Sequence, residues 1–273
     1  MKAKIVKVGD IKIGKGNPIV FIAGPCVIES PGNAMRHARK ISEITRKLKV
    51  PFIFKSSYDK ANRSSIDSFR GPGLEEGLKV LREIRDTVGV PVLSDVHEKD
   101  QVKTAAEVLD CLQIPAFLSR QTDLLVEAAA TGKPVNIKKG QFMSPTEMEN
   151  VVSKMEAAGS RNILLTERGT TFGYNMLVND FRSIPIMGRT GYPVVYDATH
   201  SVQRPGGLGT SSGGDREFIW ALSRAAVAAG ADAVFLEVHE EPSKALSDGP
   251  NMLKLGDLED FIKEIKKIEK AVR

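Results

Sequence analysis

Short apolar runs alternate with helical patterns along the whole chain. The runs are rich in Val, Ile and Phe and contain few polar residues, which is typical of strands buried on both faces of a parallel sheet. They predict strands at 19–23, 52–55, 90–94, 111–114, 135–138, 163–166, 194–196 and 233–237.

The segments between these runs carry apolar residues at helical spacing. Ala34, Ala38 and Ile41 belong to one such stripe, and Leu258 and Ile262 belong to another. Strands that alternate with helices predict right-handed crossovers and a parallel sheet. Eight strand–helix units within 273 residues favour an α/β fold of the closed (β/α)8 TIM barrel type over an open doubly wound sheet.

The N-terminal segment, residues 1–17, has a different pattern. Apolar and polar residues alternate on both sides of Gly9 and Asp10, which predicts a β-hairpin. We expect this hairpin to close the bottom of the barrel. No linker or internal repeat divides the sequence, so residues 1–273 are predicted to form a single domain.

Composition and charge narrow the class of protein. Hydrophobic residues make up 41% and charged residues 27% of the chain, which is typical of a globular protein with a large core. We find neither a signal-peptide pattern nor an apolar run long enough to span a membrane, so we expect a cytoplasmic protein with no membrane partner. The net charge of +5 comes without a basic run interleaved with aromatics, which disfavours nucleic acid and favours small anionic ligands.

Polar residues follow almost every predicted strand. A (β/α)8 barrel builds its active site at the C-terminal ends of the strands, so these residues are expected to meet at one rim. The cations among them suit phosphate or carboxylate, because guanidinium binds such groups bidentately and ammonium offers a point charge. This cationic set consists of Lys55, Lys60, Arg63, Lys138 and Arg168. The sequence contains neither a P-loop nor a GxGxxG dinucleotide motif.

A second group at the same rim has the chemistry of metal ligands. Cys26, His200, Glu237 and Asp248 combine a thiol, an imidazole and two carboxylates, which suits a divalent transition metal. Each of them alone is more often a structural residue. Closure of the barrel would bring strand eight beside strand one, so the four together predict a site for one divalent ion. Such a set accepts Zn, Fe, Mn or Co.

Several segments of the chain match a known family. They are AGPC at 23–26, IES at 28–30, KSSYDKANRSS at 55–65, QIPAFL at 113–118, QTD at 121–123, NIKKGQF at 136–142, TERG at 166–169, DATHSVQ at 197–203 and ALSD at 245–248. Through them the chain resembles the 3-deoxy-D-manno-octulosonate 8-phosphate synthases, also called 2-dehydro-3-deoxyphosphooctonate aldolases. The KANRSS part of the second long segment is the most discriminating, because related heptulosonate 7-phosphate synthases carry a different Lys-Pro-Arg-type segment there.

The resemblance implies a reaction and roles for individual residues. Phosphoenolpyruvate, D-arabinose 5-phosphate and water would give 3-deoxy-D-manno-octulosonate 8-phosphate, a precursor of lipopolysaccharide, and inorganic phosphate. The residues expected to bind the two substrates are Lys55, Ser57, Lys60, Asn62, Arg63, Ser64, Gln113, Pro115, Ala116, Lys138, Arg168 and Gln203. Of these, Asn62, Arg63 and Ser64 would hold the aldose phosphate. The residues expected to be catalytic are Asp95, Lys138, His200 and Asp248, with Asp95 near the reacting end of the sugar.

The same resemblance bears on metal and assembly. The family has a metal-dependent form with Cys, His, Glu and Asp ligands, and a metal-independent form with Asn in place of the Cys. Cys26 occupies that position here, so the chain resembles the metal-dependent form. The family also implies a homotetramer whose aldose phosphate site borrows residues across a subunit interface, for which Arg63 and Arg120 are candidates.

Three alternatives remain open at this point. A sister enzyme could use another aldose, such as erythrose 4-phosphate. A lyase could form a Schiff base through Lys138 or Lys55. A non-catalytic protein on the same barrel could bind a phosphosugar and release no phosphate.

Overall fold

Eight parallel strands form the centre of the molecule in the computed structural model, which describes residues 3–63, 65–206 and 213–273. We number the barrel strands β1 to β8 in chain order. They are Val20–Gly24, Phe52–Lys55, Val92–Asp95, Cys111–Ile114, Val135–Lys138, Ile163–Glu167, Val194–Asp197 and Ala233–His239. Every strand residue is buried, as their continuous apolar character predicted.

The sheet closes on itself. Each strand pairs in parallel with the next, and β8 pairs with both β7 and β1. Glu237 of β8 therefore lies level with Gly24 of β1, two residues before Cys26. A side chain at Gly24 would collide with the Lys55 carbonyl oxygen, so glycine permits the close approach of β1 and β2 at this rim. The prediction of a (β/α)8 barrel is confirmed.

Helices connect the strands and cover the outside of the barrel. Helices α1 to α8 are Pro31–Leu48, Leu74–Val88, Lys99–Val108, Thr122–Ala130, Met148–Ala157, Ser183–Gly188, Ile219–Ala228 and Leu258–Val272. Ser30 starts α1, because its hydroxyl accepts the Asn33 N–H and Pro31 follows at the first helical position. None of the described helices is long and apolar enough to cross a membrane.

The predicted N-terminal hairpin is present and lies at the bottom of the barrel. Its strands are Val6–Val8 and Ile11–Ile13, and they pair antiparallel. Gly9 and Gly14 pack against Pro91 and Pro193, which precede the first residues of β3 and β7. The buried side chains of Val6, Val8 and Ile13 therefore close the N-terminal ends of the strands.

Strand boundaries differ from the prediction at both ends of the barrel. The third strand begins at Val92 rather than 90, because Pro91 has no N–H to donate to the ladder. Strands β3, β6, β7 and β8 extend beyond the predicted apolar runs into polar residues. Backbone pairing continues past the last apolar side chain, so Asp95, Glu167 and Asp197 lie on strands rather than on loops, as Glu237 was already predicted to do.

Candidate active site

A cavity of 560 Å³ opens at the C-terminal ends of the barrel strands. The predicted residues on its wall are Lys55, Lys60, Asn62, Arg63, Asp95, Gln113, Pro115, Ala116, Lys138, Arg168, His200, Gln203, Glu237 and Asp248. Cys26 is fully buried directly beside Asp248. Residues distant in sequence thus meet in one place, as closure of the barrel requires.

Two carboxylates hold the cations at the bottom of this cavity. Glu237 Oε1 lies 2.7 Å from Lys55 Nζ and 3.6 Å from Lys60 Nζ. Asp197 Oδ2 lies 2.8 Å from both Lys138 Nζ and His200 Nδ1. Lys55, Lys60 and Lys138 therefore each have a buried carboxylate partner, which burial of charge demands.

Phe235 forms the floor between these two charged pairs. Its ring centre lies 4.0 Å from Lys138 Nζ and 5.1 Å from Lys55 Nζ. The ring face attracts both ammonium groups and excludes water below them. The two lysines are thus held at the bottom of the cavity with the remaining ammonium protons available to an anion.

The surrounding cations keep three carboxylates ionised. Burial alone would raise the pKa of Glu237, but Lys55, His200 and Lys60 hold it well below its usual range. Burial likewise opposes the charge on Asp197, whose pKa His200 and Lys138 hold well below normal. The pKa of Asp95 is also lowered, chiefly because Lys60 and Lys138 outweigh its burial. The site is therefore a network of fixed opposite charges in a water-poor environment.

A chain of hydrogen bonds crosses the barrel interior and ends on Asp95. The Thr166 hydroxyl donates to Asn136 Oδ1 (2.6 Å), and Asn136 Nδ2 donates to Gln113 Oε1 (2.8 Å). Gln113 Nε2 then donates to Asp95 Oδ1 (2.7 Å), while the Ser57 hydroxyl donates to Asp95 Oδ2. Because Asp95 only accepts, it fixes the orientation of both amides. Ser57 therefore lies behind Asp95 and not on the cavity wall.

The outer part of the cavity is joined to the loop after β8. Arg63 donates to the Ser247 hydroxyl and lies 3.8 Å from Asp248 Oδ1. Gln203 accepts from Arg168 (2.9 Å) and donates to Asp248 (3.3 Å). Arg63 and Arg168 are thus both linked to Asp248, the first directly and the second through Gln203. Ser64, the remaining predicted phosphate ligand, lies outside the described residues.

Three of the four predicted metal ligands form one cluster. One ligand atom each of Cys26, Glu237 and Asp248 lies within 4.8 Å of the others. His200 Nε2 lies 3.6 Å from Glu237 Oε1 and so faces the same carboxylate. Glu237 Oε2 is buried and has no hydrogen-bond partner among the described residues. A thiol and two carboxylates, one of which has an unpaired buried oxygen, fit a divalent cation.

The individual groups of this cluster have further distinct features. Burial, reinforced by Glu237, raises the pKa of the Cys26 thiol, so nearby positive charge would be needed to form the thiolate that binds metal. Asp248 has a positive φ of 49°, an uncommon conformation that Asp tolerates better than most residues. His200 Nδ1 lies 2.8 Å from Asp197 Oδ2, and Nε2 on the other side of the ring faces the cluster.

Sequence reasoning missed four residues that build this site. Asp197 and Asn136 lie within matched segments, but no role was assigned to them because their partners are on other strands. Ser247 precedes a predicted ligand, and its hydroxyl lies 2.9 Å from Cys26 Sγ. Phe235 lies inside a predicted apolar strand, where a phenylalanine is usually an ordinary core residue. The alternation of inward and outward side chains on β8 would have placed it two residues below Glu237.

Comparison with known proteins extends over nearly the whole chain. The model of the DAHP synthetase I family matches residues 2–273. A protein of Geobacter metallireducens named 2-dehydro-3-deoxyphosphooctonate aldolase is 60% identical over 268 residues, which is 98% of both chains. Proteins of the same name from Geotalea daltonii and Geobacter sulfurreducens are each 58% identical, covering 99% and 98% of both chains respectively. The chain therefore belongs to the DAHP synthetase I family and, within it, to the group of the 2-dehydro-3-deoxyphosphooctonate aldolases.

Proposed function

We propose that this chain is an enzyme that condenses phosphoenolpyruvate with D-arabinose 5-phosphate and water. The products are 3-deoxy-D-manno-octulosonate 8-phosphate and inorganic phosphate, and the first of these serves lipopolysaccharide biosynthesis. Family membership supports this proposal, and one structural observation carries it. The cations of the matched segments line a single cavity, where they can hold two anionic substrates together.

The charges of the site match the charges of the substrates. Phosphoenolpyruvate carries a carboxylate and a phosphate, and the aldose carries a second phosphate. Lys55, Lys60, Lys138 and Arg168 would hold the first substrate with Gln113, Pro115 and Ala116, while Asn62, Arg63 and Ser64 would hold the aldose phosphate. Fixed cations offset the repulsion between the anions and bring their reacting carbons together.

The reaction has three events that the protein must assist. C3 of phosphoenolpyruvate attacks the aldehyde carbon, water adds at the electron-poor C2, and phosphate leaves. The cationic set would orient the substrates, and His200 would polarise the aldehyde oxygen beside Asp95. Lys55 and Lys60 already neutralise Glu237, so Asp248 on the cavity wall is the better candidate to accept a proton from water.

We also propose that Cys26, His200, Glu237 and Asp248 hold one divalent ion, which could be Zn, Fe, Mn or Co. The compact thiol and carboxylate cluster and the unpaired oxygen of Glu237 support this assignment. When bound, the ion would supply Lewis-acid character and orientation at the aldehyde end of the cavity.

The choice of aldose is the first test. Phosphate release from phosphoenolpyruvate should depend on arabinose 5-phosphate and be far slower with erythrose 4-phosphate or with no aldose. Faster release with erythrose 4-phosphate would favour the sister activity. Trapping of substrate on Lys138 or Lys55 by borohydride would instead indicate a Schiff-base lyase. Sugar phosphate binding without phosphate release would indicate a non-catalytic protein.

Removal of the thiol tests the metal assignment. We expect Cys26→Ala to lose metal binding and most activity, and chelation to inactivate the unaltered protein reversibly. Cys111→Ala is the matched control, because Cys111 is equally buried but lies on β4 away from the cavity. Full turnover by metal-stripped Cys26→Ala would contradict the assignment.

The proposal includes a homotetramer in the cytoplasm. Apolar side chains are exposed on the loops after β4, β5 and β6, and they include Phe117, Phe142, Phe172 and Tyr174. Arg120 would then contact the neighbouring site, whereas Arg63 faces Ser247 and Asp248 of its own chain. Light scattering should give four times the chain mass of 29.7 kDa. Phe172→Asp should dissociate the assembly. If the unaltered protein already has the mass of a single chain, the tetramer is contradicted.

A further inference from the structure

Two loops from opposite ends of the chain build the cluster around Cys26. Cys26 belongs to the loop between β1 and α1, and Ser247 and Asp248 belong to the loop after β8. Cys26 Sγ lies 2.9 Å from Ser247 Oγ and 3.2 Å from Asp248 Oδ2. Covalent continuity does not fix these two loops relative to each other, so a contact between them must do so.

Glu29 makes such a contact to the backbone, in addition to the side-chain contacts of Ser247 and Asp248 with Cys26. One of its carboxylate oxygens accepts the Leu246 N–H at 2.9 Å, directly before Ser247. The other accepts from Asn33 Nδ2 at 3.3 Å and lies 3.4 Å from His239 Nε2. Glu29 thus joins its own loop, helix α1 and the end of β8, yet it does not line the cavity.

The two histidines behind Glu29 are held in defined orientations. His239 Nδ1 accepts the Glu241 N–H at 3.0 Å, so its proton is on Nε2 and points to Glu29. His37 Nε2 accepts the Glu240 N–H at 3.1 Å, so its Nδ1 donates to the Asn33 carbonyl at 2.9 Å. The rings lie 5.0 Å apart and are buried. The loop after β8 is therefore anchored at its start by the histidines and at Leu246 by Glu29.

We infer that Glu29 is a positioning residue, which holds residues 246–248 over the Cys26 thiol and so sets the geometry of the ligand cluster. Glu29 lies outside the lining of the cavity and would act through the Leu246 backbone. This inference rests on the proposed function only where metal affinity is concerned. The placement of Ser247 and Asp248 over Cys26 can be measured without metal.

The variants Glu29→Ala and Glu29→Gln test the inference. The alanine variant loses both contacts, whereas the glutamine variant keeps an acceptor for the Leu246 N–H. Asp110→Ala is the matched control, because Asp110 also accepts a backbone N–H, that of Val92, but at the other end of the barrel. Alkylation of Cys26 by iodoacetamide in metal-free protein is followed by peptide mass, which separates it from Cys111.

We expect Cys26 alkylation to be several-fold faster in Glu29→Ala than in the unaltered protein, and intermediate in Glu29→Gln. Titration with Co²⁺, followed by thiolate-to-metal absorption, should show affinity about 10- to 100-fold weaker in Glu29→Ala. Asp110→Ala should change neither the rate of Cys26 alkylation nor the affinity for Co²⁺. If Glu29→Ala does not fold, slower alkylation or no change in Glu29→Gln would overturn the inference.

The outcomes separate the inference from the metal assignment. Faster alkylation in the Glu29 variants, with no Co²⁺ binding by the unaltered protein, would support Glu29 as positioning residue and contradict the metal site. Normal Co²⁺ binding with equal alkylation rates and equal affinities in Glu29→Ala would overturn the role of Glu29. Equal effects of Asp110→Ala and Glu29→Ala would also overturn it, because general destabilisation would then explain both.

Discussion

The two ends of the barrel use acidic side chains for different purposes. At the bottom, Asp110 and Asp232 accept the backbone N–H groups of Val92 and Val194, the first residues of β3 and β7. At the top, where the strands have their C-terminal ends and the cavity opens, Asp197 and Glu237 face lysines and a histidine. The bottom carboxylates satisfy strand ends, and the top ones hold cations ready for anionic ligands.

Buried cations make the difference between the ends. Among the residues that the structure describes, the buried lysines and arginines are Lys55, Lys138, Lys139 and Arg168, and all lie at the top. Without such partners, burial raises the pKa of Asp232 at the bottom, whereas that of Asp197 is held low. Asp197 also accepts a backbone N–H, that of His200, so the buried cations that face it are what distinguish it from Asp110 and Asp232.

The largest effect is expected from Asp197→Asn. Lys138 and His200 would lose their buried counter-charge, and removal of one partner of a buried pair costs about 3–5 kcal/mol. Urea denaturation at pH 7 measures this loss. Asp232→Asn at the bottom should change the free energy of unfolding by far less, because an amide oxygen still accepts the Val194 N–H. Equal losses in the two variants would contradict the comparison.

The same pair of variants predicts opposite pH dependence. The folded pKa of Asp197 is lowered, so its contribution is present above the unfolded pKa of about 3.9 and is lost as pH falls below it. The deficit of Asp197→Asn should therefore shrink in acid. The folded pKa of Asp232 is raised, so its contribution is present below the unfolded pKa and lost as pH rises. The free energy of unfolding of Asp232→Asn, relative to that of the unaltered protein, should therefore be most favourable at neutral pH.

Lys138→Met should remove most activity. The ammonium group between Asp197 and the cavity would be lost, and loss of one preorganised donor typically lowers kcat about 10²- to 10³-fold. The measurement is steady-state phosphate release with both substrates varied. An activity within a factor of two or so of the unaltered protein would remove Lys138 from the site.

Asn136→Ala should lower both the free energy of unfolding and the activity, by an intermediate amount. Gln113 and Thr166 would each lose a buried hydrogen bond, which costs about 1–3 kcal/mol. Activity should also fall, because Gln113 and Asp95 lose their fixed orientation on the cavity wall. Asn162→Ala is the control at the bottom, where Asn162 donates to the Gly132 carbonyl from an exposed position. Unfolding and turnover measured on both variants separate the two roles.

Lys4→Met should have the smallest effect. Lys4 pairs with Glu156 at 2.8 Å and lies over the Tyr192 ring, but both charged side chains are about a third exposed. Such pairs contribute roughly 0.2–1 kcal/mol. Thermal unfolding should show a slight decrease and kcat should not change. A loss of activity comparable to that of Lys138→Met would mean that the bottom of the barrel participates in function.

Much of the fold could be predicted from sequence, because buried parallel strands and amphipathic helices leave direct periodic signals. The N-terminal hairpin followed from alternation around Gly9 and Asp10, and its position at the bottom is confirmed. Most predicted site residues lie on one cavity because a closed barrel leaves the ends of its strands no other place to meet. The starts and ends of strands were less predictable, since pairing follows backbone hydrogen bonds and not side-chain polarity.

The partners of the site residues could not be predicted in the same way. The pairing of Lys138 with Asp197, and the chain from Thr166 to Asp95, depend on the register between neighbouring strands. Sequence alone gives residue types but not which inward side chains lie level. The contact between Glu29 and Leu246 depends on the fold of two loops and carried no sequence signal.

We propose that the top of the barrel joins two anionic substrates in a single condensation. The most direct measurement incubates the protein with phosphoenolpyruvate and arabinose 5-phosphate and quantifies phosphate and the eight-carbon product by mass spectrometry. Our account predicts one phosphate for each molecule of octulosonate 8-phosphate, and neither product when either substrate is omitted. Phosphate release from phosphoenolpyruvate without the eight-carbon product, or no reaction in the metal-loaded protein, would contradict it.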